Sequence, residues 1–234
     1  MQKFQKRFAE VDRKRIVRLA KSSLRSSEGA KALEYLKDVR GLSDKVIDDF
    51  NMGYVPSEIP HQLRGRIITP IYDPYGKLVA ISTKSLLIKK GDKGHFWHED
   101  YDKRFYIYGL SNAKKNIISC QKVILVEGEM GVAFLHSKGF DIAVGVCGSS
   151  FSIYQACMLS RYCTEVYLAF DPDQSGSNAL KRTMDMYQQY NFNSFGMKFI
   201  PTKFPNYTKS DDYLKEYGND EFKKILIMSK NNSY

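Results

Sequence analysis

The second half of the chain alternates strictly between short apolar runs and longer segments with helical periodicity. A continuous apolar run of about four to eight residues is typical of a strand that is covered on both faces. Strands that alternate with helices indicate right-handed crossovers and a largely parallel sheet. The predicted strands are 123–126, 142–146, 166–170 and 197–200, and the predicted helices are 130–138, 151–162 and 178–190. The predicted fold class is therefore α/β, with helices flanking a mostly parallel sheet.

The first half of the chain follows a different pattern. Three segments near the N-terminus have helical periodicity, and Ser43 is a candidate N-cap for the third. Two strand-like runs then flank residues 73–77, whose sequence Asp-Pro-Tyr-Gly-Lys favours a tight hairpin turn. We therefore expect a small mixed α+β subdomain with an antiparallel sheet. The expected domains are a helical and small-sheet subdomain at 1–116, the parallel-sheet domain at 117–205 and a C-terminal helical segment at 206–234.

The chain is basic, with 36 Lys and Arg against 26 Asp and Glu and a formal charge of +10. Such an excess favours a polyanionic partner, most often nucleic acid, although a soluble protein with a basic pI is a simpler alternative. No window of about 18 apolar residues predicts a membrane span, and the N-terminus lacks the apolar core of a signal peptide. We therefore expect a cytoplasmic protein. The densest basic stretch contains Lys3, Lys6, Arg7, Arg13, Lys14, Arg15, Arg18, Lys21 and Arg25.

The cysteines and histidines do not have the spacing of a zinc site. No Cys-x-x-Cys pair is present, and the His95–Asp100 stretch is interpreted as a surface loop or strand edge. Reduced thiols in the core are the simplest interpretation of the cysteines, and no zinc is expected. These residues are Cys120, Cys147, Cys157, Cys163, His61, His95, His98 and His136.

Carboxylates follow two strands of the predicted parallel sheet. Glu127 comes directly after the first strand, and Asp171 and Asp173 come after the third. In an open parallel sheet, ligands bind at the carboxyl ends of the strands, near the point where the strand order reverses. Three carboxylates at that edge would repel one another unless a cation neutralised them, and oxygen ligands select Mg²⁺ or Mn²⁺. The pattern predicts a metal site, although each motif alone is also typical of a turn or a helix cap.

Two segments resemble the signature motifs of the TOPRIM domain. They are 123–128, which ends in Glu127-Gly128, and 167–176, which contains Asp171-Pro-Asp173. The TOPRIM domain is shared by DnaG-type primases, type IA and type II topoisomerases, and certain nucleases and recombination proteins. The resemblance therefore implies a fold and a magnesium site, but no single reaction.

Further segments narrow the resemblance to the catalytic core of DnaG-type bacterial and phage primases. In chain order they resemble the helical segment before that core, its Arg-Ile-x-Phe-Pro-Ile hairpin, its Leu-Tyr-Gly-Leu stretch, its Gly-Thr-Ser-type loop and its late acidic motif. The resemblance spans about residues 30 to 215 and implies synthesis of short RNA primers from nucleoside triphosphates on single-stranded DNA. The segments are 35–54, 66–77, 105–110, 145–150 and 209–214.

The chain departs from this family at three points. The family's Glu-Gly-Tyr-Met-Asp is Glu127-Gly-Glu129-Met-Gly131 here, so one acidic position is lost and another is gained. The late motif is one residue short, and Ser210 stands where a carboxylate is expected. The family's zinc-binding module has no counterpart in the 234 residues, and neither does most of the helical region and helicase-binding domain that follow the core in the family. Template choice and helicase coupling are then expected to come from elsewhere or to be lost, and a pared-down core is typical of a phage or mobile element.

The resemblance implies roles for particular residues. Glu127, Asp171 and Asp173 are the expected catalytic metal ligands. Arg66 and Lys84, on the small sheet, resemble the family's basic residues for the template or the triphosphate, with solvated surface charge as the alternative. The expected partners are single-stranded DNA and nucleoside triphosphates, with a replicative helicase or a separate zinc-binding protein as further candidates. Supporting ligands are expected to be Asp212, Asp211 and Glu129, and a weaker basic candidate is Lys93.

Two other functions remain open at this point. A TOPRIM nuclease would use the same carboxylates to cut nucleic acid, although the hairpin and helices before residue 110 do not resemble nucleases of this group. A non-catalytic nucleic-acid-binding accessory protein would bind DNA but would not synthesise primers. Nucleotide incorporation on a single-stranded template, compared with degradation of that template, separates these alternatives from a primase.

Overall fold

The structure is a computed structural model that describes residues 10–56, 63–86, 95–96, 101–146, 148 and 150–232. The chain divides into two compact units, a first unit of Met1–Tyr101 and a second unit of Asp102–Tyr234. This division falls before residue 116, because the helix that starts at Leu110 packs Ala113 and Ile117 into the core of the second unit. The three-part domain division remains a prediction.

The first unit begins with helices. They are α1 (Glu10–Leu24), α2 (Ala30–Glu34), which continues into a π-helical turn (Tyr35–Val39), and α3 (Asp44–Asp49). Ser43 is the N-cap of α3 as predicted, since its hydroxyl accepts a hydrogen bond from the Val46 backbone at 3.3 Å. Helix α1 contributes Ile16, Val17 and Ala20 to the core of this unit.

The antiparallel sheet of the first unit has the strand order β1-β2-β3-β4. Asp73 organises the predicted hairpin turn between β2 and β3, because its Oδ1 accepts backbone hydrogen bonds from Tyr75 and Lys77, both at 2.9 Å. Gly76 has φ +86°, a value that favours glycine. The hairpin prediction is therefore confirmed. The strands are β1 (Gly53–Tyr54), β2 (Arg66–Tyr72), β3 (Leu78–Ser85) and β4 (His95–Phe96).

The second unit contains the alternating elements. Short 3₁₀ turns accompany them, at Lys103–Phe105, Phe192–Phe195 and Pro205–Tyr207. The last helix (Ser210–Asn231) is interrupted at Gly218, whose φ of +79° and ψ of 178° are not helical. The elements are α4 (Leu110–Cys120), β5 (Lys122–Val126), α5 (Glu129–Ser137), β6 (Ala143–Gly145), α6 (Ile153–Leu159), β7 (Glu165–Leu168), α7 (Gln174–Gln189), β8 (Lys198–Pro201) and α8 (Ser210–Asn231).

The second sheet is parallel throughout and has the strand order β6-β5-β7-β8. The chain steps from β5 to β6 on one side, and then crosses back to β7 on the other side of β5. The strand order therefore reverses between β5 and β7, and the crevice at their carboxyl ends is the expected ligand position. Leu125, Val144 and Leu168, one from each of these three strands, are fully buried in the core. The predicted α/β class is confirmed.

The described cysteines are free and differ in exposure. Cys163 is buried, and burial raises the pKa of its thiol to about 12. Cys120 and Cys157 are exposed, so the expectation of core thiols is wrong for these two, while Cys147 lies outside the described residues. Among the residues that the structure describes, no helix has both the length and the apolar character that crossing a membrane requires.

We predict that Gly53→Ala destabilises the first unit. A Cβ at residue 53 would lie 2.5 Å from the backbone carbon of Ala20 and 2.7 Å from the nitrogen of Lys21, so α1 would have to move away from β1. Forced overpacking of this kind costs about 1–3 kcal/mol. Urea unfolding measures the loss. Gly131→Ala is the matched control, because a Cβ there meets only the Val126 side chain, at ordinary distances of 3.6 Å to Cγ2 and 4.0 Å to Cβ. Equal stability of the two variants would contradict this close approach.

Candidate active site

Glu127 and Asp171 lie at the same edge of the parallel sheet. Glu127 directly follows β5 and Asp171 follows β7 by three residues, and these strands pair in parallel. The carboxylate oxygen Oε1 of Glu127 accepts a hydrogen bond from the backbone N–H of Asp171 at 3.1 Å. The side chain that ends one strand is thus held against the loop that follows its neighbour.

Gly176 makes this close approach possible. A Cβ at residue 176 would lie 2.0 Å from the carbonyl oxygen of Asp171 and 2.6 Å from Glu127 Oε1. No side chain fits in that space, so the first turn of α7 can press on both acidic residues only with glycine here. The sequence places Gly176 in the second TOPRIM-like motif but does not reveal this contact.

Asp173 is the N-cap of α7. Its Oδ1 accepts a hydrogen bond from the backbone N–H of Gly176 at 2.9 Å, which is the cap alternative that the sequence leaves open. A carboxylate has two oxygens and about four acceptor positions, so one capping hydrogen bond leaves it able to accept another partner. The cap also fixes Asp173 at the same sheet edge as Asp171.

Lys209 is a site residue that the sequence reasoning missed. Its ammonium group donates a hydrogen bond to Asp171 Oδ2, and the two groups form an ion pair. This hydrogen bond raises the pKa of Lys209, and the charges of Asp171, Asp173 and Asp211 raise it further, while partial burial opposes them. Lys209 directly precedes α8, so the ion pair joins the start of that helix to the loop after β7. The only sequence signal was its position at the start of the late acidic motif.

Negative charge is crowded at Glu127. The pKa of this half-buried carboxyl is raised, first by burial and then by the charge of Asp171, with a further contribution from Asp173. The hydrogen bond from the Asp171 backbone and the charge of Lys209 act in the opposite direction but do not cancel the effect. Ionised Glu127 is therefore under-compensated by the protein alone.

Glu129 is buried at the first position of α5, with 6% of its surface exposed. Its Oε1 is a buried oxygen for which the described residues provide no hydrogen-bond partner. A buried acceptor without a partner is a rare feature that a bound ion or water accounts for. Gly131, where the family has its acidic residue, offers no carboxylate, although a Cβ would fit there.

The late acidic residues Asp211 and Asp212 make local contacts at the start of α8. Asp211 Oδ1 accepts the backbone N–H of Asp212 at 3.1 Å, and Asp212 Oδ1 lies 3.5 Å from Lys215 Nζ. Across the described ranges, no three His, Cys, Asp or Glu side chains are arranged as a metal-binding group. Asp171 instead faces Lys209, because like-charged carboxylates repel and an ammonium group neutralises one of them. The site chemistry nevertheless fits a hard divalent cation. Its donors are oxygens, the charge of Glu127 is under-compensated, and Glu129 Oε1 has no hydrogen-bond partner among the described residues.

The basic residues expected to bind substrate lie in the first unit. Lys84 Nζ donates a hydrogen bond to the Tyr35 hydroxyl at 2.6 Å and lies 5.2 Å from the centre of that ring. Arg66, at the start of β2, is half-buried. It pairs with Ser85 in the β2–β3 ladder, next to the pair that Ile67 forms with Lys84. Lys93 lies outside the described residues. Their roles remain predictions.

Comparison with known sequences supports the resemblance. Residues 121–194 match the family model described as the Toprim domain. The chain is 26% identical to the DNA primase of Synechococcus elongatus over an alignment of 246 positions. The alignment covers 88% of this chain and 35% of that protein. It is also 26% identical to the DNA primase of Aquifex aeolicus, over 85% of this chain and 45% of that protein. The chain thus spans less than half the length of these two relatives.

Comparison with solved structures identifies the same fold. The Aquifex aeolicus primase, comprising zinc-binding and RNA polymerase domains, matches with a TM-score of 0.80 at 23% identity, over 95% of this chain and 62% of that one. The E. coli primase catalytic core matches with a TM-score of 0.79 at 20% identity, over 91% of this chain and 77% of that one. A DnaG catalytic domain solved with single-stranded DNA matches with a TM-score of 0.77 at 20% identity, over 92% and 79%. The predicted fold is confirmed.

We predict that Glu127→Gln raises the free energy of unfolding at pH 7 without added metal ion. The folded state raises the pKa of Glu127, so it binds this proton more tightly than the unfolded chain does. Stability is therefore lost as the pH rises from the ordinary carboxyl pKa through the raised value, and it stays lost above that window. Gln keeps an acceptor for the Asp171 N–H without the charge. Urea unfolding at pH 7, and below the ordinary carboxyl pKa, measures the difference, which should shrink in acid.

Glu165→Gln is the control of opposite sign. Burial opposes ionisation of Glu165, but hydrogen bonds from Lys230, at 2.5 Å, and from Tyr167 outweigh it and lower the pKa. This substitution should reduce stability at pH 7, and the reduction should fade as the pH falls through the lowered pKa. If both variants lost stability at pH 7, the charge crowding at Glu127 would be refuted.

Proposed function

We propose that the chain is the catalytic core of a DnaG-type DNA primase, which synthesises short RNA primers from nucleoside triphosphates on a single-stranded DNA template. The observation that carries the proposal is the contact of Glu127 with the Asp171 loop, at the strand-order reversal of a sheet that has the DnaG core fold. Similarity to curated DNA primases over 85–88% of the chain supports the reaction type.

The carboxylates would hold Mg²⁺ or Mn²⁺. Glu127 and Asp171 are the proposed central ligands, and Asp173 has acceptor capacity beyond its cap. When bound, a divalent cation neutralises the phosphate charge that develops during nucleotidyl transfer. Supporting ligands are proposed to be Glu129, Asp211 and Asp212. Each supplies oxygen donors, which suit Mg²⁺ and do not select zinc.

The chain's own groups would position the triphosphate. Helices α5 and α7 each start just after a strand of the parallel sheet, so their positive N-terminal ends lie at the edge with Glu127 and Asp171. Lys209 adds a cation at the same edge. We propose that Arg66 and Lys84, and Lys93 as a weaker candidate, contact the template or the triphosphate. These groups orient an anionic substrate without forming a covalent bond to it.

The proposed setting is the cytoplasm, or the host cytoplasm if the chain is phage-encoded. A replicative helicase and a separate zinc-binding protein are the further partners that the resemblance implies. A first assay of synthesis uses the chain alone, and primers made without these partners would show that the core reaction does not need them.

We predict that Asp171→Asn and Asp173→Asn each reduce primer synthesis at least about 100-fold, because neutralising transferred phosphate charge contributes several kcal/mol to catalysis. Asn is as good an N-cap as Asp, so Asp173→Asn removes the charge while the start of α7 is kept. Incorporation of labelled ribonucleotides on single-stranded DNA with Mg²⁺ or Mn²⁺ measures the effect.

The matched control is Asp185→Asn, an exposed carboxylate on the same helix α7. It should leave synthesis unchanged, and all three variants should keep binding single-stranded DNA. Degradation of the template by the native protein, without nucleotide incorporation, would favour the nuclease. DNA binding with no synthesis by the native protein would favour the accessory factor.

We predict that Lys209→Gln strengthens Mn²⁺ binding. The ammonium group and a divalent cation compete for the Asp171 carboxylate, and a half-exposed ion pair contributes up to about 1 kcal/mol, which corresponds to about fivefold in affinity. Calorimetric titration of the metal-free protein measures the change. The matched control is Lys203→Gln, which removes the same charge from an exposed position. Unchanged or weaker Mn²⁺ binding by Lys209→Gln would contradict the competition.

A further inference from the structure

The first unit contains a cavity of ≈ 550 Å³ between α1 and the turn of the β2–β3 hairpin. This volume is within the range of about 300–1,000 Å³ that is usual for small-ligand sites. All the residues that line it belong to the first unit, and none of these described residues is acidic. The basic and aromatic residues that line it are Lys14, Arg18, Lys21, Tyr72, Tyr75 and Lys77.

The positive charge of the cavity comes from both of its sides. Lys14, Arg18 and Lys21 are spaced four and three residues apart, so they share one face of α1. Lys77 faces them from the hairpin turn, and Lys14, Arg18 and Lys77 are exposed to solvent. Lys21 is anchored, since its Nζ donates hydrogen bonds to Asp48 O and Asn51 Oδ1, each at 3.1 Å. Four cations around one hollow favour a ligand with more than one phosphate.

Two tyrosines give the cavity aromatic surface. Tyr75 stands at the tip of the turn with 82% of its surface exposed. Its backbone is fixed by the hydrogen bond that Asp73 Oδ1 accepts from it at 2.9 Å. Tyr72 is half-buried, and burial raises its pKa, so its hydroxyl stays neutral at physiological pH. An exposed ring beside cations is the arrangement on which a nucleobase stacks while its phosphates are neutralised.

We propose that this cavity is a binding site for single-stranded nucleic acid, in which a base stacks on Tyr75 while flanking phosphates contact Lys14, Arg18 and Lys77. The site deepens the proposed primase function, because it would hold template or product strand. Its existence does not depend on the carboxylates, which belong to the second unit.

The site is also separate from the predicted substrate-binding residues of the small sheet. In the β2–β3 ladder, Ile67 pairs with Lys84, and Tyr72, five residues further along β2, pairs with Leu78 beside the turn. At about 3.3 Å per residue, the two ends are on the order of 17 Å apart. A strand bound near Arg66 and Lys84 would need several nucleotides to reach the cavity.

Binding of a labelled single-stranded oligonucleotide, followed by fluorescence anisotropy on the whole chain, tests the proposal. We predict that Arg18→Gln and Tyr75→Ser each weaken binding about 5- to 10-fold, as expected for a lost phosphate contact and a lost stacking partner. The salt dependence should separate the two roles. The logarithm of the association constant falls linearly with the logarithm of the salt concentration. Arg18→Gln should make this slope shallower by about 0.7, and Tyr75→Ser should leave it unchanged.

Two matched controls isolate the cavity from general charge and exposure. Arg15→Gln removes the same charge from an exposed position on α1 that does not line the cavity. Tyr190→Ser removes a tyrosine that is 48% exposed in the second unit. Both controls should change affinity less than twofold. Asp171→Asn should also keep this binding, so a failure of primer synthesis and a failure of the cavity proposal can be told apart.

Three outcomes would overturn the proposal. Tyr75→Ser could bind like the native chain, which would exclude stacking. Arg15→Gln could lose as much affinity as Arg18→Gln, which would leave only a diffuse basic surface. ATP alone could bind saturably to the native chain, and Tyr75→Ser could abolish this ATP binding while oligonucleotide binding is kept. That result would assign the cavity to free nucleotide. Parallel titrations with DNA and RNA oligonucleotides identify which strand the cavity prefers.

Discussion

The contact between the Glu127 carboxylate and the backbone of Asp171 brings the acidic residues of the second unit together at one edge of its sheet. It joins the ends of β5 and β7, the two strands between which the strand order reverses. The contact needs the absence of a side chain at Gly176, because a Cβ would lie 2.0 Å from the Asp171 carbonyl oxygen. One glycine thus lets α7 press two acidic residues together, and the acidic character of this edge follows from that packing.

Such crowding of charge costs stability unless a cation is present. Burial and the charge of Asp171 raise the pKa of Glu127, and Glu129 keeps a buried oxygen without a hydrogen-bond partner among the described residues. Lys209 neutralises Asp171 from the start of α8. Proteins commonly accept lower stability at sites that must bind a charged ligand. The Lys209 ion pair also accounts for the finding that, within the described part of the chain, no three carboxylates form a preorganised metal-binding group.

The first unit carries a complementary chemistry. Its α1 helix presents Lys14, Arg18 and Lys21 on one face, and the hairpin turn presents Tyr75 and Lys77. Cations with an exposed aromatic ring suit a polyanion that has bases, whereas the acidic edge of the second unit suits a cation with triphosphate. The overall charge of +10 is compatible with an acidic edge in the second unit, because the fold brings a few carboxylates together in a way that the overall composition does not show.

The sequence by itself determined the α/β class, the hairpin at Asp73 and the placement of Glu127 and Asp171 after strands, because apolar periodicity and turn residues are local signals. Only the tertiary structure decided that β5 lies between β6 and β7, that Asp173 caps α7, and that Asp171 pairs with a lysine 38 residues later. No local pattern in the sequence indicated that α1 lies beside the turn of the β2–β3 hairpin. Strand order, close backbone approach and ion pairing join residues far apart in the chain, and their energies depend on packing that no local pattern contains.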